Sequence, residues 1–188
     1  MKMETTLHNI YLFKALDAYP YDLGETVESL NYALSYDSKN VEALCLLAKL
    51  YTYQLKDYEA AKNIYAEALA AGMESPLVYP GYVHVLLLNE EYEEAHKLAD
   101  FALKVKGTDK TVLKLLKGLL YESQANYKKA KKSYKEALQL SIDNSFVTHV
   151  EGELNRVEKK VKRIQKKKKK KVKKLPGKKK SNKKRKEK

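Results

Sequence analysis

Four histidines, one cysteine and a dense set of lysines are the side chains here with chemistry to offer, and their spacing decides how much of it is usable. His8, His84, His96 and His149 are scattered, and none stands four residues from another as a zinc-binding helix requires. Cys45 is the only cysteine, so no intramolecular disulfide and no cysteine-rich metal site can form. That suits a reducing compartment, and the residue itself reads as a small core or groove side chain. Glu90, Glu91, Glu93 and Glu94 gather where a helix begins, and there they complement the helix dipole. There is no glycine-rich phosphate loop, no nucleophile elbow and no CxxC pair. The chain is expected to be no enzyme, with neither metal nor cofactor.

What remains is electrostatics. The formal net charge is +14, and it is unevenly spread. Met1 to Asn155 holds 17 basic and 22 acidic residues, whereas Arg156 to Lys188 holds 21 basic and 2 acidic. The candidate contacts for an anionic polymer are Lys166, Lys167, Lys168, Lys169, Lys170, Lys171, Lys173, Lys174, Lys178, Lys179, Lys180, Lys183, Lys184, Arg185 and Lys186. Like-charge repulsion and the Pro176-Gly177 break predict a disordered tail over 165–188. Lysine is a point charge that reads no sequence, and the tail holds no aromatic for base stacking. Sequence-independent attachment to RNA, a ribosome or DNA fits best. An anionic membrane surface or an acidic protein is the rival, and in a nucleated host Lys178–Lys186 also reads as a nuclear import signal.

The elements that carry these residues are helices. Apolar residues make up 44% of the 188 positions, enough for a core, and no apolar run approaches the roughly 18 residues a membrane span needs. The start, Met1 to Thr6, contains Glu4 and has no apolar signal region. The expected setting is intracellular and cytoplasmic.

Ala33-Leu34, Ala68-Leu69, Ala102-Leu103 and Ala137-Leu138 recur at spacings of 35, 34 and 35. Tyr58, Tyr92 and Tyr127 each stand three residues before Ala61, Ala95 and Ala130. A fixed period in this range marks stacked helical hairpins. Periodicity predicts helices over about 7–16, ended by Pro20, then 25–36, with Val27, Leu30, Ala33 and Leu34 on one side. The following pairs are 41–55 with 58–71, 76–88 with 92–104, and 111–122 with 127–140. Gly72 and Gly107 read as left-handed helix stops.

These residues resemble the tetratricopeptide repeat, a hairpin of two antiparallel helices about 34 residues long. Leu47, Ala48 and Tyr51 match the family's first helix, and Tyr82 with Leu86 and Gly118 with Tyr121 match it less fully. Tyr58, Ala61, Tyr65 and Ala68 match the second helix, as do Tyr92, Ala95, Ala99 and Ala102, and Tyr127, Ala130, Tyr134 and Ala137. Two departures stand out: the turn before Tyr58 holds one extra residue, and the family's junction proline is missing. The resemblance implies an all-α, right-handed solenoid of helical hairpins, about three good units and a degenerate first, over 25–144. It places 1–24 outside the repeats as an N-terminal helix and turn.

It also implies a groove lined by the first helix of each unit, which holds a protein or peptide. By register the groove residues are Cys45, Lys49, Thr52, Leu77, Pro80, His84, Leu87, Val112, Leu115 and Leu119. Chaperone-binding members clamp a terminal carboxylate with basic and amide side chains. Here only Lys49 offers that, so an apolar peptide or helix fits the groove better. The chain's own last helix is the competing occupant.

That last helix is expected over 145–164, with Ser145 as N-cap. Val147, Val150, Leu154, Val157, Val161 and Ile164 alternate at spacings of 3 and 4. A cap on the open end of the stack is the plainer reading of that seam, and a coiled-coil contact for self-association is the other. The function expected is that of an adaptor, its groove on a protein and its tail on an anionic polymer. The alternatives are a plain interaction scaffold, with the tail serving solubility, or a homo-oligomer.

Overall fold

The computed structural model describes residues 2–174, with side chains from 10 to 167. It is all helical among those residues. The helices are α1 (Lys2–Ala18), α2 (Leu23–Tyr36), α3 (Val41–Leu50), α4 (Tyr58–Ala71), α5 (Val78–Leu88), α6 (Tyr92–Ala102), α7 (Lys110–Ser123), α8 (Tyr127–Leu140) and α9 (Asn144–Lys174). Each odd helix from α1 to α7 pairs with the even helix after it, and the odd helices also touch along α1–α3, α3–α5 and α5–α7. The odd helices therefore line one inner face. α9 packs beside α8.

Short polar residues start most of these helices. Asp22, Asn40, Asp57, Asp109, Asn126 and Asp143 each accept a hydrogen bond from the backbone N–H three residues ahead, at 2.7–3.3 Å. Each such bond satisfies an otherwise orphaned donor of the first turn. The cap of α9 is thus Asp143 and not Ser145, whose hydroxyl instead donates to Asp143 at 2.6 Å.

The alanines and tyrosines of the repeat build the core. Ala61, Ala68, Ala95, Ala99, Ala102, Ala130 and Ala137 are fully buried, which lets paired helices approach closely. Tyr65, Tyr79 and Tyr134 fill the space between units. α1 packs on α2 as a hairpin of the same kind. The first unit accordingly starts with α1, and the boundary expected at residue 24 falls inside it. In α2 the inward residues are Thr26, Ser29, Leu30 and Ala33, while Val27 is 39% exposed, against expectation. The two hydroxyls are satisfied locally: Thr26 donates to the Asp22 carbonyl at 2.6 Å and Ser29 to Glu25 at 2.9 Å.

The extra residue before Tyr58 is accommodated as a π-turn, Tyr51–Leu55, at the end of α3. Asp57 N–H reaches back to the Tyr51 carbonyl at 3.1 Å, and Lys56 takes φ 58°. Glu90 (φ 62°) and Ala125 (φ 57°) occupy the equivalent place in the next two hairpins. A left-handed non-glycine residue costs about 1–2 kcal/mol. Ala125→Gly is therefore expected to raise stability by about 0.5–1 kcal/mol, after the greater freedom glycine gives the unfolded chain. A higher thermal midpoint would show it, and an unchanged or lower one would contradict it. Gly107 takes the left-handed conformation at φ 85°. Gly72 does not: its φ is −153°, and close packing explains it, since a Cβ would lie 2.7 Å from Val41 Cγ2.

α9 is the second departure from expectation. It continues past Ile164 to Lys174. Lysine is a good helix former, and cations near a helix C-terminus are favoured by its dipole, so the first part of the lysine run extends the helix instead of breaking it. Of the tail expected over 165–188, the helix backbone is described as far as Lys174, and 175–188 lies outside the described residues.

Candidate functional site

Two surfaces merit inspection: the inner face of the odd helices and the basic C-terminal end. On the inner face the groove residues separate into accessible and buried sets. Cys45, Thr52 and Leu115 are buried and cannot contact a partner directly, which corrects three of the ten. Cys45 sits in a cluster with Val78 and Val85 of α5, because α5 packs over that side of α3. Thr52 follows buried Ala48 by four residues and so faces inward, where its hydroxyl donates to the Ala48 carbonyl at 2.7 Å. Leu115 joins Tyr134, Val150 and Val157, so α9 and α8 cover it. Leu119 is partly buried against the same cluster. Leu87 and Val112 pack partly buried on the neighbouring core, and Pro80 is half-buried. Lys49 and His84 are half-buried, and Leu77 is exposed.

The π-turn also holds Tyr53, which the ten groove residues leave out. Tyr53 is 45% exposed, and its hydroxyl lies 2.9 Å from His84 Nδ1, bridging α3 and α5 on the inner face. Burial, with a smaller contribution from nearby Tyr19, raises the Tyr53 pKa, and burial lowers that of His84. His84 is therefore neutral at pH 7, which leaves the pair an uncharged hydrogen-bonding ridge between apolar side chains. The spacing of four residues from Lys49 to Tyr53 is the sequence signal that places Tyr53 on this side.

Burial, slightly offset by Lys49, pushes the Cys45 thiol up to about 11. At pH 8 roughly one such thiol in a thousand is ionised, so it is no nucleophile in the fold. Alkylation by iodoacetamide at pH 8 is expected to be at least about a hundred times slower in buffer than in urea. Equal rates would contradict the burial.

Among the described residues the histidines stay apart. His96 Nε2 contacts Gln124 at 3.0 Å, linking α6 to α7, and His149 is exposed on α9. Among the described residues no group of three His, Cys, Asp or Glu side chains could hold a metal, and no helix is long and apolar enough to cross a membrane.

At the C-terminal end, α9 covers the stack with Val150 and Val157 fully buried and Leu154 and Val161 packed beside them. Glu122 of α7, only 6% exposed, locks it in place. This carboxylate accepts from Arg156 Nη1 at 2.5 Å and Nη2 at 2.8 Å, and from the Tyr134 hydroxyl at 3.2 Å, with Lys160 at 3.5 Å. Beyond Val161 the side chains of Lys162, Arg163, Lys166 and Lys167 are exposed. The backbone of α9 continues through Lys168–Lys171 to Lys173 and Lys174, whereas Lys178, Lys179, Lys180, Lys183, Lys184, Arg185 and Lys186 lie outside the described residues.

The tetratricopeptide repeat model matches residues 41–71 and 113–144, the α3–α4 and α7–α8 hairpins. These two hairpins are tetratricopeptide repeats. Solved structures share the fold of this repeat stack. One is pilF of Pseudomonas aeruginosa, at 19% identity and TM-score 0.71, over 84% of this chain and 71% of that one. MamA follows at 18% identity and TM-score 0.61, over 91% and 97%. A chain of the Naa15/Naa10 complex bound to HypK-THB aligns at 21% identity and TM-score 0.51, over 88% of this chain but 25% of that one. At these identities the likeness is one of fold. No curated protein sequence matches the chain. Tetratricopeptide repeats bind proteins or peptides.

Proposed function

We propose that this chain is a non-enzymatic adaptor, whose inner face holds a protein or peptide and whose lysine-rich C-terminus attaches it to an anionic polymer, RNA, ribosome or DNA, without reading sequence. The observation that carries this is the segregation of charge. Residues 1–109 hold 9 basic and 17 acidic side chains, whereas residues 110–188 hold 29 basic and 7 acidic. One end of the molecule repels phosphate and the other attracts it, so the two ends suit different partners. On the inner face, Lys49, Leu77, His84 and Tyr53 supply a mixed apolar and hydrogen-bonding surface for a helical or extended peptide. The setting proposed is the cytoplasm.

The protein-binding half is tested by retention of partners from a cell extract on the full chain and on a Lys49→Glu, Tyr53→Ala, His84→Ala variant. A protein held by the first and lost by the second supports the inner face. An identical set on both would overturn it.

The same charge segregation favours one second reading, a head-to-tail oligomer in which the acidic end of one copy meets the basic end of the next. Its mark is a mass that rises with protein concentration and falls with salt. A monomer under all conditions removes it.

A further inference from the structure

The attraction for phosphate is not confined to the lysine run. α8 carries Lys128, Lys131, Lys132 and Lys135 at the i, i+3, i+4, i+7 spacing that puts them on one helical face. Three of them are exposed and Lys131 is half-buried. The aromatic among them, Tyr134, points into the core. Two contacts fix where this stripe meets α9. Lys131 Nζ lies 4.0 Å from Glu158, and Lys160 Nζ sits 5.5 Å from the centre of the Tyr127 ring. The stripe therefore begins beside the point where α9 leaves the body, and exposed Lys162, Arg163, Lys166 and Lys167 follow along α9. The basic surface is a folded face joined to a helical rail, not a tail alone.

We propose that this face, α8 together with the free end of α9, is a docking surface for double-stranded DNA, gripped through its phosphates; the inference rests on the tether reading above and narrows it. Charge complementarity selects a polyphosphate, because each neutralised phosphate releases a condensed counterion. A single strand is disfavoured, since its binding sites are built on exposed aromatics that stack bases, and the stripe presents none. Between duplexes the rail decides. The part of α9 beyond Val161 runs to Lys174, about 20 Å at helical rise, and an α-helix with side chains is about 10–12 Å across. The major groove of B-form DNA is about 12 Å wide and admits such a helix, whereas the deep, narrow major groove of A-form RNA does not. With the rail in the groove, the α8 stripe lies against an adjoining phosphate wall.

The test is fluorescence anisotropy of the full chain with a labelled duplex DNA of arbitrary sequence, the same sequence as duplex RNA, and one single strand, across a salt series. It is repeated with Lys128→Gln, Lys131→Gln, Lys132→Gln, Lys135→Gln combined. A control combines Lys39→Gln, Lys97→Gln, Lys104→Gln and Lys106→Gln, four exposed lysines in the acidic part of the chain. The α8 variant is expected to bind duplex DNA at least about tenfold more weakly and to lower the log–log salt slope by about 3, with the control near the unchanged chain. If the α8 variant matches the unchanged chain, the α8 face is overturned while the tether stands. Equal losses in variant and control would reduce the effect to net charge and overturn it too. Duplex RNA or single strand bound as tightly as duplex DNA would overturn the groove. If the unchanged chain binds no nucleic acid, the tether itself falls.

Discussion

Gly118→Ala is expected to destabilise the stack by about 1–3 kcal/mol, although alanine is the better helix former by about 1 kcal/mol. Gly118 lies mid-way along α7, and a Cβ there would sit 2.3 Å from Cε1 and 2.5 Å from Cδ1 of Tyr134. That ring cannot step aside. It is fully buried, and its hydroxyl is bonded to Glu122, which is itself gripped by Arg156. Gly152, on the exposed side of α9, supplies the internal comparison, because a Cβ there meets nothing within 4 Å. Gly152→Ala should therefore stabilise by up to about 1 kcal/mol. The same substitution thus acts with opposite sign at two helical positions, and chemical denaturation of both variants reads it. A Tyr134→Leu background should remove most of the Gly118→Ala cost. Equal effects of Gly118→Ala and Gly152→Ala would contradict the packing described.

Arg156→Ala should loosen the cap. Glu122 loses its bidentate partner and keeps only the Tyr134 hydroxyl and the more distant Lys160 ammonium. Breaking a buried ion pair by removing one member costs about 3–5 kcal/mol. Arg156 is 49% exposed, so water replaces part of what it provides, and about 2–3 kcal/mol is expected. Hydrogen exchange should quicken over α9 before it does over α3 to α6. Removing both members, as Glu122→Leu with Arg156→Leu, should restore most of the loss, because an apolar pair leaves no stranded charge. A double variant as unstable as Arg156→Ala would sink this account of the lock.

The repeat was legible because its signal is redundant: an alanine-leucine pair returns at one period through four hairpins, and tyrosine with a buried alanine three residues on through three of them. Tyr53 was not, because steps of three and of four from Lys49 lead to Thr52 and Tyr53 alike, and burial decides that Thr52 is the inward one. Cys45 and Leu115 were misplaced for another reason. Register on one helix does not tell how far α5 and α9 close over its edges. The extent of α9 turned on a competition between repulsion among lysines and their helix propensity, with propensity prevailing to Lys174. The stripe on α8 is hidden in composition, since its lysines average into an acidic body, although helical spacing gathers them on one side.

The measurement that bears most directly on the adaptor is the affinity of the full chain, and of a chain ending at Ile164, for RNA and for DNA between 50 and 200 mM salt. Truncation at Ile164 leaves the buried seam of α9 through Val161 intact, so the repeat stack keeps its cap. The full chain is expected to bind tightly at low salt and to lose about a thousandfold in affinity across the series, as six or more phosphate contacts require. The shortened chain should retain only weak binding. Equal and negligible binding by both at physiological salt would contradict the tether, leaving the inner face as the protein's sole working surface.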